Sequence, residues 1–479
     1  MKFCLYARNK NQEILFWKIC KILETSGHEA DLLAPKKGDN KKGIFYPEEM
    51  ASKLIESDDI NYPQEFARIC KKYKNINRII QSDRELNYFP EYFGDKPVAR
   101  EVKLKYLVVF FLIFESYIDL QKPNCIIAEM VLGLMDGIFY EVCNVNGIKF
   151  LGVRPSKTSQ GIVFCDSPFD EPIGLNEKIK KISEPNNLII SKALDISNRA
   201  VKRGEDPHYM IRSSRKYRIF TLRAFNAASR ILLDNTKFPI HSIYQRKKLN
   251  AFREVFQKYR NIRGWTFKGG IEIDQYCQSH FIFAAHFEPE ASVHVRAHEF
   301  SDQLGLIKLI SRLLPPTSIL IVKDHKGNQG FRKATFYKQI SHLYNVKVVS
   351  PSVNLRNLIQ TCHGVITLTG RIGLESLIDG VPVIAFGDSF WTNLKQVYRP
   401  RSIDEIKNLL LRLSEEPSVI RSVGAPQRQD LDIDLAKLII AYEASIYPGS
   451  FIQGDQLFTS DKNAYNYASA ILNISNKFL

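Results

Sequence analysis

Residues Val365–Phe386 read VITLTGRIGLESLIDGVPVIAF, and the spacing of apolar residues in this stretch decides the fold class. Val365, Ile366 and Leu368 form an apolar run that stops at Thr369-Gly370-Arg371. Helical spacing follows from Ile372 to Ile378, Asp379-Gly380 closes it, and Pro382–Phe386 restarts a buried strand. Strand, tight turn, short helix, strand is the repeating unit of a parallel α/β sheet. The chemistry falls at the joints. Thr369 and Gly370 are expected to present unpaired backbone N–H groups at a helix N-terminus, where the local dipole favours a phosphate. Arg371 adds a fork of donors beside them. Glu375 lies one turn into the helix, at a reach suited to a ribose diol.

The same alternation extends to both sides. Upstream, His280–Ala285, Ser318–Val322 and Val346–Val349 read as strands, and Glu299–Leu314, Phe331–Tyr344 and Asn354–Cys362 as helices. Downstream, Ile403–Leu413, Leu431–Ile446 and Ala464–Ile474 have helical spacing. A second alternating region opens the chain. Strands are expected at Lys2–Tyr6, Ala30–Leu33, Ile76–Ile80, Cys125–Ile127 and Lys149–Val153, and helices at Gln12–Thr25 and Leu134–Val145. Arg154-Pro155-Ser156-Lys157 then reads as a turn carrying two cations. The expected fold is α/β, with two Rossmann-like, doubly wound domains. They span 1–175 and 266–415, separated by a helical insertion or linker over 176–265 and followed by a helical tail over 416–479.

Composition bounds the function classes. A chain of 479 residues with 44% hydrophobic and 25% charged residues has ample core for two folded domains, which excludes a disordered chain. Eight scattered cysteines with no paired spacing argue against a zinc ribbon or a disulfide framework and for a reducing compartment. The start of the chain runs straight into a strand without a secretory leader. The longest apolar run, Tyr106–Phe114, is short for a membrane span, so a cytoplasmic location is expected. The formal net charge of +16 is uneven, since Asn176–Arg260 holds 20 basic and 7 acidic residues. Such a patch suits the anionic inner face of a membrane, where it would make peripheral contact, or is simply a solvated helical surface. Nucleic acid is not expected as the partner.

Further candidates sit at strand ends, where loops of a parallel sheet line the ligand crevice. Lys323 and His325 alternate after Ser318–Val322, and there a cation and an imidazole could hold or protonate a departing phosphate. Glu290 follows the turn His286-Phe287-Glu288-Pro289, as a helix cap or as a carboxylate that accepts a hydroxyl proton. In the first domain Glu129, just beyond a strand, and Asp136, at a helix start, are candidate bases or helix-terminal charges. Ser352, in the turn after Val346–Val349, joins Lys323, His325, Thr369, Gly370, Arg371 and Glu375 as a donor-binding candidate. His294 and His298 lack a third ligand, so no metal site is expected.

FAAHFEPEAS at 283–292, ILIVKDHKGNQGFR at 319–332 and the stretch from Val348 to Gly387 together resemble the capsule polysaccharide biosynthesis family. The resemblance runs from about His280 to Trp391, with weaker echoes at Ile126–Glu129 and Leu151–Arg154. The spacing Glu375-x4-Gly380-x-Pro382 is also similar to the nucleotide side of GT-B-type glycosyltransferases and their sugar-epimerase relatives. The family implies a GT-B architecture and transfer of 3-deoxy-manno-octulosonic acid (Kdo) from its CMP-activated form. Carried over, Glu290 matches a Pro-Glu motif, Lys323 and His325 a Lys-Glu-His-Pro motif, and Thr369, Gly370 and Glu375 a Thr-Gly-Thr…Glu segment. Asp324, Lys326 and Arg371 stand where the family has glutamate, proline and threonine. The expectation is a metal-independent glycosyltransferase of surface polysaccharide that takes a nucleotide sugar, most naturally CMP-linked, and a glycan or lipid-linked acceptor, with no further cofactor. A sugar-nucleotide epimerase and a non-catalytic component of polysaccharide assembly are the alternatives.

Overall fold

The first strand, β1 (Lys2–Tyr6), is apolar at consecutive positions because both of its faces are covered, the mark of a parallel sheet wrapped in helices. The computed structural model describes residues 1–34, 45–55, 57, 59–88, 96–129, 133–168, 171–202, 248–267, 277–416, 431–451 and 457–478. β1 pairs in parallel with β2 (Glu29–Leu33) and β3 (Cys125–Glu129), β3 with β4 (Lys149–Pro155), and β5 (Ile162–Cys165) returns antiparallel at the edge. On one face Cys4, Tyr6, Ile126 and Ala128 meet the helices Arg100–Gln121 and Leu134–Val145. The apolar run around Tyr106–Phe114 is thus the buried side of a long helix. On the other face Phe3, Leu5 and Ile127 meet the helix Lys10–Thr25.

The second sheet is six-stranded and parallel throughout, in the order β11-β10-β9-β6-β7-β8. Its strands are β6 (Ser279–Ala284), β7 (Ser318–Lys323), β8 (Val346–Val349), β9 (Gly364–Thr367), β10 (Val383–Ala385) and β11 (Val397–Tyr398). Helices Gln303–Leu313, Ala334–Ser341 and Ile403–Glu415 cover one face. The helix Arg371–Ile378 and the short turn Arg356–Ile359 lie on the other side. Two doubly wound Rossmann-like α/β domains are therefore present.

Two expectations are corrected. Ile76–Ile80 is not a strand but lies in the helix Ile76–Ser82, whose buried Ile76 and Ile79 follow helical spacing and pack toward Leu134–Val145. Arg154–Lys157 is not a turn after the last strand, because β4 continues through Pro155 and hairpins into β5, with Arg154 paired to Val163. Beyond 416 the expected helices are present among the described residues, and they pack into both domains. The helix Asp461–Phe478 completes the apolar face that Phe3, Leu5 and Leu15 leave open, through Ala464, Tyr467, Ile471 and Ile474. The helix Ile433–Glu443 shares a core with Val163 and Cys165 of β5, Trp391 of the second domain and Ala193 of the helix Asn186–Lys202. Most of the basic segment, residues 203–247, lies outside the described residues. Among the described residues no helix is long and apolar enough to cross a membrane, and all eight cysteines are free thiols.

That shared core rests on a close approach. A Cβ on Gly373 would lie 2.3 Å from Cη2 and 2.7 Å from Cζ2 of the fully buried Trp391. Gly373→Ala is expected to lower stability by about 1–3 kcal/mol, the usual cost of overpacking. Urea unfolding followed by tryptophan fluorescence reads this directly, and an unchanged midpoint would show that the ring moves aside freely.

Candidate functional site

In the second sheet β7 and β8 lie on one side of β6 and β9 on the other, so the winding reverses between β6 and β9. Loops leaving two such strands part and open a crevice at the carboxyl edge of the sheet. His286, just past β6, ties that edge together. Its Nε2 accepts the Thr369 backbone N–H at 3.1 Å, and its carbonyl accepts from Asn328 Nδ2 and from Arg332 Nη2, each at 2.8 Å. Burial, reinforced by the fields of His325 and Lys157, pushes the His286 pKa down to about 3. The ring is neutral, with its proton on Nδ1.

The same bond overturns one expectation. The turn Thr369-Gly370 does not offer open N–H groups: Thr369 donates to His286, and Gly370 donates to Thr367 Oγ1 at 3.2 Å. Buried turn donors must be satisfied, and here the protein supplies the acceptors. Arg371 and Glu375 pair with each other at 2.9 Å on a partly exposed helix face. Ser352 is exposed and shares a hydroxyl hydrogen bond with Ser350 at 2.8 Å.

Beneath the crevice lies a buried ionic network. The Asp324 carboxylate accepts from Arg332 Nε at 2.9 Å, Asn328 Nδ2 at 2.7 Å, Tyr337 Oη at 2.5 Å and the His325 N–H at 2.8 Å. Arg332 Nη1 reaches on to Glu288 Oε2 at 3.0 Å, and Gln303 Nε2 donates to Glu288 Oε1 at 2.5 Å. Burial raises the Glu288 pKa, although Arg332 and Gln303 oppose it. Two loops and two following helices are locked by this one guanidinium. Arg332 and Gln303 carried no sequence signal, because both meet Glu288 across a tertiary contact that no local spacing marks.

His325 stands on that base, half-buried. Its Nδ1 accepts the Gly327 N–H at 3.0 Å, so the neutral ring carries its proton on Nε2. Burial lowers its pKa, while the carboxylates of Glu290 and Asp324 pull the other way. Glu290 Oε2 accepts the Ser292 hydroxyl at 2.6 Å. Lys323 is half-buried at the end of β7. His325, Lys323 and Glu290 thus share one edge.

The first sheet presents its own carboxyl edge. Glu129 ends β3 rather than following it, and its Oε2 accepts from Gln12 Nε2 at 2.6 Å. Asp136 is 1% exposed and paired with Arg8 at 3.1 Å, so it reaches an acceptor hydroxyl only if that pair breaks. The two domains meet across the crevice. Arg78 donates to the Val295 carbonyl, and Arg84 Nη1 to the Pro289 carbonyl at 3.4 Å. From the β4–β5 hairpin, Lys157 Nζ donates to Ser389 Oγ at 3.3 Å and the Lys157 N–H to Tyr442 Oη at 3.2 Å. Arg296, 4% exposed and unnoticed in the sequence, joins Lys157 and Arg154 there. Among the described residues no group of histidine, cysteine and carboxylate side chains has the make-up of a metal site. What the arrangement offers is an imidazole N–H, several cations and a carboxylate around one opening.

Residues 275–394 match the family model described as capsule polysaccharide biosynthesis protein, a span that holds β6 to β10 with Glu290, Lys323, His325 and Arg332. Comparison with curated proteins gave no match. Among solved structures, the beta Kdo 2,7 transferase of Thermosulfurimonas dismutans KpsC aligns at 12% identity and TM-score 0.34, covering 81% of this chain and 94% of that one. The UDP-GlcNAc 2-epimerase of Neisseria meningitidis, bound to UDP-GlcNAc, aligns at 11% identity and TM-score 0.26, covering 93% and 99%. Likenesses at these scores settle neither substrate nor reaction.

Two outcomes follow from the network. Arg332→Met leaves Asp324 and Glu288 buried without their cation and is expected to cost about 3–5 kcal/mol in chemical denaturation, where a loss below 1 kcal/mol would sink the assignment. His286 and His294, the latter held down to about 4 by burial and Arg84, are neutral in the folded chain. Unfolding lets both take up protons below their ordinary value near 6.5. Their contribution is complete above that pH and is lost as pH falls toward 4 and then 3. Stability measured from pH 7 to 5 should therefore decline, and His286→Gln should flatten the slope.

Proposed function

We propose that this protein is a glycosyltransferase of surface polysaccharide assembly, moving a sugar from a nucleotide donor to a glycan or lipid-linked glycan. The observation that carries this is the convergence of His325, Lys323 and Glu290 at the switch point of a sheet whose residues match the capsule polysaccharide biosynthesis family. A glycosyl transfer needs a donor for the departing phosphate oxygen and an acceptor for the proton of the attacking hydroxyl. In this reading the His325 Nε2–H meets the phosphate, Lys323 offsets its charge, and Glu290 takes the proton, with Glu129 facing the acceptor from the first domain. Preorganised cations of the chain supply the charge stabilisation, so no step calls for a metal. The resemblance to transferases that use CMP-Kdo makes a CMP-linked acidic sugar the first donor to test, and the acceptor would be met at the cytoplasmic face of the membrane.

One observation favours a second reading, a non-catalytic component of the assembly machinery that keeps the fold. The Thr369 and Gly370 N–H groups are already bonded and Arg371 is paired with Glu375, so the helix start offers less to a nucleotide than its sequence suggests.

Thermal unfolding with CMP, UDP, GDP and ADP at one common concentration should show a single nucleotide stabilising the protein, by about 2.7 kcal/mol once it reaches about 100 times its dissociation constant. His325→Ala should remove that shift. Release of the same nucleotide from its sugar conjugate in the presence of acceptor, lost in Glu290→Gln, would establish the transferase. Binding without turnover, or no shift from any nucleotide, would move the assignment to the non-catalytic component.

A further inference from the structure

Glu290 stands on very little structure of its own. It opens the short helix Ala291–His294, a single turn in which the Val293 and His294 N–H groups donate to the Glu290 carbonyl at 3.1 and 3.0 Å. One turn fixes several dihedral angles for very few hydrogen bonds, so a segment this short takes its position from tertiary contacts. On the side of the second domain those contacts are the buried Val293 and a 3.4 Å bond from Thr369 Oγ1 to the Ser292 carbonyl. On the other side they come from the first domain.

Two arginines make that second set. Arg78 donates to the Val295 carbonyl through Nε at 3.0 Å and through Nη2, and Arg84 Nη1 donates to the Pro289 carbonyl at 3.4 Å. Pro289 directly precedes Glu290, and Val295 directly follows the helix. The two guanidinium groups therefore hold the carbonyls at both ends of the turn that carries the carboxylate. Both residues are buried, and a backbone carbonyl out of water requires a donor. Tyr88, four residues beyond Arg84, meets the His294 ring edge-on with centroids 6.1 Å apart.

The arginines are anchored in turn within the first domain. Arg78 lies on the helix Ile76–Ser82, whose Ile79 packs so closely on the helix Leu134–Val145 that a Cβ on Gly137 would lie 3.1 Å from it. Asp83, 4% exposed, joins that helix to Arg84–Asn87, and its carboxylate accepts the Leu86 and Leu134 N–H groups, each at 2.8 Å. Leu134 starts the helix that follows β3, and β3 ends at Glu129. The grip on Glu290 and the carboxyl edge that holds Glu129 thus belong to one packed unit.

We propose that Arg78 and Arg84 are positioning residues for sugar transfer: the domain that faces the acceptor sets Glu290 in place by holding the carbonyls on either side of it. This rests on the reading of Glu290 given above. In that step the acceptor oxygen bonds to the anomeric carbon and its proton passes to Glu290. The bond from that carbon to the donor phosphate breaks with its electron pair on the phosphate oxygen, which the His325 Nε2–H meets. A base works only within about 2.6–3.2 Å of the oxygen whose proton it takes. A carboxylate held by the acceptor's own domain keeps its register with that oxygen, even though its chain belongs to the second domain.

The test follows CMP release from CMP-Kdo by the full chain, with water as the acceptor whose proton the same base takes. Arg78→Met and Arg84→Met should each lower kcat by about ten- to a hundredfold, the cost of a small displacement of a reacting group, with KM for CMP-Kdo within about twofold of the parent. Arg78→Lys, with one ammonium in place of two aligned N–H groups, should fall between parent and Arg78→Met. A general loosening of the site would instead raise KM along with the loss of kcat. That outcome, or the parent's kcat in both methionine variants, overturns the proposal. Should a methionine variant fail to fold, the lysine substitution at that position decides: a lower kcat at unchanged KM supports the placement, and the parent's kcat overturns it. If the parent itself releases no CMP, the donor reading fails separately, and hydrogen exchange decides the grip. Faster exchange of the His294 and Ala297 N–H groups, which donate to the Glu290 and Val293 carbonyls, in Arg78→Met then supports it, and unchanged exchange overturns it.

Discussion

One buried guanidinium holds the candidate site in shape. Arg332 lies between Asp324 and Glu288 and also donates to the His286 carbonyl, so the loops after β6 and β7 take their positions from it. Ion pairs taken out of water return little net stability, but they fix geometry, because any slippage leaves a charge without its counterpart. Here that geometry is the spacing of the β6 and β7 ends on which Glu290 and His325 stand. His286 adds the third anchor by accepting the Thr369 N–H, which only the neutral ring can do. The residues nearest the crevice that look most reactive in sequence are partly its scaffold.

The two domains are joined by more than a linker. β5 of the first sheet, the helix Asn186–Lys202, the helix Ile433–Glu443 and Trp391 of the second domain share one apolar core. A side chain on the β4–β5 hairpin is thereby placed against the second domain by packing that lies outside the crevice. That is how Lys157 comes to donate to Ser389 more than two hundred residues away.

Much of the architecture was legible because parallel sheets announce themselves. β1, β8 and the helix Leu134–Val145 fall where apolar spacing puts them, since continuous apolar runs and Gly-bounded helices arise from burial on both faces. Ile76–Ile80 misled because a short run of isoleucines suits a strand and a buried helix turn equally, and only its neighbour across the core decides. The position of His325 at a strand end was visible in the alternation of polar residues after β7. The occupation of the Thr369 and Gly370 donors was not, because their acceptors, His286 Nε2 and Thr367 Oγ1, are fixed by tertiary contacts.

The helix Asp461–Phe478 closes the face of the first sheet formed by Phe3, Leu5 and Ile127. During synthesis the ribosome delivers those strand residues first and their cover last. Through most of translation the nascent first domain therefore carries an open apolar surface beside Leu15 and Ile19, which a chaperone must shield or which must stay loosely collapsed. The second sheet has one face covered by helices of its own stretch, while β10 and β11 also pack against β5, the helix Asn186–Lys202 and the helix Ile433–Glu443. The first domain therefore cannot complete its core until the helix Asp461–Phe478 has been made.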